Sequence, residues 1–146
     1  MTTGLAVFDA SVQETNVWLK LLMQHLHSED RHTAYSILRA TLHALRDRLG
    51  AENAVHLGAQ LPLLLRGVYY DGWHMAGTPT RERHVAEFVQ RVGDGLPRGS
   101  TINPEFAARS TFALLWDKLD PGEVAKVQRI LPRELQELWP PEARHP

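Results

Sequence analysis

An all-α fold is what this sequence predicts, and three observations carry it. Apolar residues recur every three or four positions in one segment after another. Glycines and prolines cluster between those segments. No run alternates Val, Ile and Thr in the period-two manner of a strand.

From Val12 to Leu26, the residues Val12, Trp18, Leu19, Leu22 and Leu26 share a helical face. Ser11 is the expected N-cap, with Glu14 at the capping-box spacing. Ser28-Glu29-Asp30 is a polar turn. The next helix spans about His32 to Leu49, with Ile37, Leu38, Leu42, Leu45 and Leu49 as its stripe and Gly50 as its stop. Ala51 to Tyr70 is helical in composition but holds Pro62, which a helix interior does not tolerate. Two short helices meeting near Leu61, with Pro62 opening the second, remove the conflict. Asp71 to Pro79 is a loop, Arg81 to Val92 a helix, and Gly93 to Ser100 a second loop. Asn103-Pro104 opens a helix that reaches about Leu119. Asp120-Pro121-Gly122-Glu123 caps another, and Pro132 starts a short one ending near Trp139. The count comes to seven or eight helices.

An internal repeat organises them. With the chain shifted by 70 residues, Arg39, Thr41, Leu45, Asp47, Leu49, Leu61, Pro62 and Leu65 meet Arg109, Thr111, Leu115, Asp117, Leu119, Leu131, Pro132 and Leu135. Chance gives about three such identities over this window at average residue usage. Tyr69 with Trp139 and Trp18 with Phe88 are conservative pairs in the same register. The expected architecture is therefore one domain over residues 1–146, a helical bundle of two pseudo-repeated halves. These run from about 11 to 73 and 80 to 140, ahead of a loose tail from 141 to 146.

Composition narrows the partners. A net charge of -1 argues against nucleic acid, which needs a basic excess. No long apolar run exists, so no membrane span is expected. The first residues lack the basic and apolar segments of a signal peptide, which makes the cytoplasm the expected location. Without cysteine there is no disulfide, thiol chemistry or Cys-type zinc site. No phosphate-binding glycine loop, nucleophile elbow or His-Glu-x-x-His motif appears. Neither a cofactor nor a metal is expected.

The segment from Ala54-Val55-His56-Leu57-Gly58 through Leu61-Pro62 to Tyr69-Tyr70-Asp71-Gly72-Trp73 closely resembles the bacterial domain of unknown function 2267 family. The close of the chain does too, with Gly122-Glu123-Val124, Leu131-Pro132-Arg133-Glu134-Leu135 and Leu138-Trp139-Pro140. The resemblance runs from about Val12 to Pro140. Met75 departs from it, at a position where the family more often has proline. What the resemblance implies is a small helical protein, with no reaction, ligand or catalytic residue attached.

The candidate site lies where the repeat breaks. Tyr69, Tyr70, Asp71, Trp73 and His74 combine aromatic rings with polar handles, the composition of binding hot spots. The competing reading makes Tyr69 and Trp73 anchors that pin the loop to the core. Arg81 heads the cluster Thr80-Arg81-Glu82-Arg83-His84, which could hold an anion or simply face solvent. His43 and Asp47 share a helix face at a spacing that can bind metal or orient a base. The repeated Arg39, Asp47, Arg109 and Asp117 are better explained as a network supporting helices. The expected function is a non-enzymatic interaction module that binds a protein or small ligand with the Tyr70–His74 loop and adjoining helix surfaces. The alternatives are a self-associating structural protein, with Leu61 to Val68 serving a homodimer, and a metal-dependent or acid-base enzyme using His43, His56 or His74 with Asp47 or Asp71.

Overall fold

A computed structural model describes residues 2–144. Seven α-helices follow one another: α1 (Ala6–Leu26), α2 (Arg31–Leu49), α3 (Ala51–Gly58), α4 (Leu63–Tyr70), α5 (Val85–Gly95), α6 (Pro104–Lys118) and α7 (Pro121–Ile130). Single 3-10 turns at Leu135–Leu138 and Pro141–Ala143 close the chain. No strand occurs among the described residues.

Local chemistry sets most of the boundaries. Asp30 accepts the His32 and Thr33 amides at the start of α2. Asn103 and Asp120 do the same for α6 and α7, each followed by a proline that needs no hydrogen-bond partner. Pro62 is the N-cap of α4, one position earlier than its sequence placement.

Four expectations change. Helix α1 begins at Ala6, so Ser11 lies inside it. The Ser11 hydroxyl instead accepts the Leu64 amide at 2.8 Å, satisfying a first-turn donor of α4. Helix α5 begins at Val85, and Glu82 ahead of it is turned inward and paired with Arg91 at 3.1 Å. Glu87 then accepts the amides of Arg83 and His84. At its other end α5 continues through Gly93 and Gly95. These glycines serve packing: a Cβ would lie 3.2 Å from Pro104 at the first and 3.2 Å from Ala40 at the second. Finally, Pro141–Ala143 forms a turn with Ala143 buried, where the sequence implied a loose tail. Gln128 donates to the Ala143 carbonyl at 2.8 Å. His145 and Pro146 lie outside the described residues.

The core is built on α2 and α6, which touch each other. Helix α1 packs across both, and α5 packs across both from the second half of the chain. Leu22, Leu38, Leu42, Leu45, Phe88, Phe112 and Leu115 are buried in one continuous apolar cluster drawn from both halves. Helix α4 covers α1 and α2, while α7 and the Leu135–Leu138 turn pack on α6. Fixing α4 in this way fixes the Tyr69–His74 segment that follows it.

Candidate functional site

Helix α4 ends at Tyr70, and its last carbonyls need donors. Helix α2 supplies two of them. His43 Nε2 lies 2.7 Å from the Val68 carbonyl. A carbonyl only accepts, so Nε2 carries the proton. Arg46, buried to 4% exposure, donates to the Tyr69 carbonyl at 2.8 Å and the Asp71 carbonyl at 3.2 Å. Its Nε donates to Asp47 at 2.8 Å. The Trp73 amide takes the Tyr70 carbonyl at 3.1 Å. Burial, helped by the Arg46 and Arg39 charges, holds the His43 imidazole below its ordinary pKa of 6.5.

The aromatic residues form a stack that faces inward. Tyr69 is fully buried, and its hydroxyl donates to the Ala54 carbonyl at 2.7 Å. Burial pushes that phenol far above its usual pKa. The Tyr70 ring meets Tyr69 edge-on at 5.0 Å and stacks on Trp73 at 5.5 Å. Tyr70 also fills the space over Gly58, where a Cβ would come within 2.3 Å of its hydroxyl oxygen. Tyr70 and Trp73 are half-buried.

The polar candidates are spread out. Asp71 is exposed and paired with Arg39 at 2.9 Å. His74 is exposed. Arg81 stands apart from the aromatic stack, exposed beside Arg48 and Arg83 on the wall of a surface hollow. The structure thus joins Tyr69, Tyr70 and Trp73 in one stack with Asp71 at its edge, and it places Arg81 at a different hollow.

The suspected His43 and Asp47 pair has other partners, the first a carbonyl and the second Arg46. His56 lines a separate hollow with Glu123 and Lys126. Among the described residues, no three His, Cys, Asp or Glu side chains gather where they could hold a metal ion. The repeated arginines and aspartates have different partners in the two halves. Arg109 donates to the Glu137 carbonyl at 2.7 Å, and Asp117 meets His25 at 2.6 Å, tying α6 to α1.

Sequence reasoning missed Arg46 and Arg66. The Arg66 guanidinium reaches back to the Gly58 and Leu61 carbonyls at 3.0 and 3.1 Å, satisfying the end of α3. No spacing rule within one helix signals such contacts.

The family model described as "Uncharacterized conserved protein (DUF2267)" matches residues 15–138. This chain belongs to that family. No curated protein matches it. The DUF2267 match takes in the aromatic stack, Arg46 and Arg81, and it leaves out the residues before Thr15.

Several of those earlier residues of this DUF2267 chain form an exposed apolar stripe. Leu5, Phe8, Val12, Thr15, Leu19, Leu22 and Leu26 follow one another at alternating spacings of three and four along α1. Burial begins only at Thr15; Leu5, Phe8 and Val12 are exposed, Phe8 to 52%. Leu63 and Leu64 on the first turn of α4 are exposed beside them, Leu64 to 46%. Phe8, Val12, Leu63 and Leu64 line a hollow of about 420 Å³ that also reaches Gly67. A Cβ on Gly67 would meet nothing within 4 Å, so this end of the hollow is open. No helix among the described residues is long and apolar enough to cross a membrane.

Proposed function

We propose that this chain is a non-enzymatic interaction module that associates with a second copy of itself through the outer face of α1 and α4. The observation that carries this is the uncovered stripe of Leu5, Phe8 and Val12 beside Leu63 and Leu64. Alternating spacings of three and four are the pattern by which helices pack on helices of the same kind. Across a twofold axis the contact is isologous, each copy supplying both a stripe and a hollow. A net charge of -1 sets up little long-range repulsion between copies and little attraction for nucleic acid. The lack of cysteine fits a reducing, cytoplasmic setting.

We also read the two halves as copies of one unit. Thr41 and Thr111, Leu45 and Leu115, Leu61 and Leu131, and Leu65 and Leu135 are buried at both ends of the 70-residue offset. In that register α5 begins at Val85, opposite Thr15. Ala6–Glu14 of α1 has no helical counterpart in the second half, and it carries most of the uncovered stripe. The break in the repeat with the most exposed apolar surface is therefore this one, ahead of the Tyr70–His74 loop. A role for that loop in binding has less support, because the Tyr69 and Tyr70 rings face its own scaffold.

Sedimentation velocity from low micromolar to near-millimolar protein tests the proposal. Wild type is expected to shift from monomer to dimer as concentration rises. Phe8→Glu/Leu64→Glu is expected to stay monomeric with an unchanged circular-dichroism spectrum. A wild type that is monomeric throughout, or a variant that dimerises equally well, overturns it.

A further inference from the structure

The hollow beside Arg81 is lined by cationic side chains. Its volume is about 560 Å³, and it lies between the last turn of α2 and the segment entering α5. Arg48, Arg81 and Arg83 line it, and no carboxylate does. The acids nearest in sequence are committed elsewhere. Glu82 is buried, accepting from Arg91 Nε at 3.1 Å and from the Thr80 hydroxyl at 2.7 Å. Asp47 accepts from Arg46. With Glu82 turned inward, its neighbours Arg81 and Arg83 are both exposed.

The three guanidinium groups are unevenly tied. Arg48 spends its Nε on the Glu82 carbonyl at 2.7 Å, which fixes the group at the wall. Its two terminal nitrogens have no hydrogen-bond partner among the described residues, and neither do the guanidinium groups of Arg81 and Arg83. The backbone around them is pinned. The Thr80 amide donates to the Asp47 carbonyl at 2.9 Å, and the Thr78 amide and hydroxyl both donate to the Met75 carbonyl, at 3.1 and 2.6 Å. Three arginines and no carboxylate line one concavity in a chain of net charge -1, an arrangement that favours an anion there.

We propose that this hollow binds the phosphoryl groups of a phosphorylated small molecule, held between Arg48, Arg81 and Arg83. Planar guanidinium groups match phosphate oxygens two at a time, and the volume suits a small ligand better than a polymer. The site stands on its own observations and does not depend on self-association. Isothermal titration of the full chain with inorganic pyrophosphate, at physiological salt, tests it. Saturable one-to-one binding is expected, weakened by about tenfold or more in Arg81→Gln/Arg83→Gln, since each lost charge-assisted contact is strong. The variant is expected to keep the wild-type spectrum and oligomeric state, and Arg83→Gln alone replaces it if the pair misfolds. Three outcomes overturn the proposal: no saturable heat, equal affinity in the variant, or binding of a short DNA duplex while pyrophosphate is ignored.

Discussion

Replacing Arg46 with methionine removes one side chain from α2 and disturbs the end of α4. Methionine keeps the length and apolar stem of arginine but donates nothing. Asp47 loses the guanidinium 2.8 Å away, and the Tyr69 carbonyl loses a donor at 2.8 Å. Stripping one partner from a buried ion pair costs roughly 3–5 kcal/mol. The Asp47 side chain is 21% exposed, so water recovers part of this and the lower end, about 3 kcal/mol, applies. The orphaned carbonyl adds about 1 kcal/mol. For a chain of this size the total lowers the melting temperature by roughly 8–16 °C. Urea unfolding followed by far-ultraviolet circular dichroism measures the loss. Arg46→Met/Asp47→Asn should recover part of it, because the abandoned charge is gone. A loss under about 1 kcal/mol for the single variant, or no recovery in the double, refutes the assignment of Arg46 as the cap of α4.

Gly58→Ala places a methyl 2.3 Å from the Tyr70 hydroxyl and 2.8 Å from its ring carbon; it should destabilise by about 1–3 kcal/mol, with Tyr70→Ala relieving the clash in a double-mutant cycle. Leu115→Ala empties a fully buried position and should cost about 2–5 kcal/mol; a loss below about 0.5 kcal/mol would contradict its place in the core. His43 has a folded pKa below its unfolded value of 6.5, so folding favours the neutral ring. Its contribution to stability is therefore complete above pH 6.5 and declines as pH falls from there through the folded value. Comparing urea midpoints across that range, His43→Gln, which keeps a donor for the Val68 carbonyl, should show a shallower decline than wild type. Parallel pH profiles would contradict it.

The legible part of the fold was the part decided within a few residues. Ile37, Leu38, Leu42, Leu45 and Leu49 read as one stripe from their spacing, and all five are buried. Asn103 and Asp120 cap the helices they precede. Several expectations failed where a residue's partner sits far along the chain. Ser11 has the spacing of a cap for its own helix, yet it serves α4, 53 residues away. Gly93 resembles a helix stop and is instead a close-approach point for Pro104. The candidate site divides on the same line. Tyr69 was recognisable as an aromatic with a polar handle, but Ala54, which takes its proton, could not be found from sequence. His43 and Asp47 formed a plausible pair until Val68 and Arg46 each supplied a better partner.

Moving Ser11 into α1 changes more than one cap. With the helix starting after Ser11, the apolar stripe begins at Val12 and leaves out Leu5 and Phe8. With the helix starting at Ala6, the stripe runs unbroken from Leu5 to Leu26. Its spacing is uniform, but its burial is not. From Thr15 onward the stripe is buried, and before Thr15 it is exposed along a hollow whose far wall is the first turn of α4. Spacing sets which face of a helix is apolar; burial depends on whether a second element reaches that face. A stripe that keeps its spacing past the end of its cover leaves an apolar face open to another helix. In the self-association proposed above, the start of α1 in a second copy fills that place.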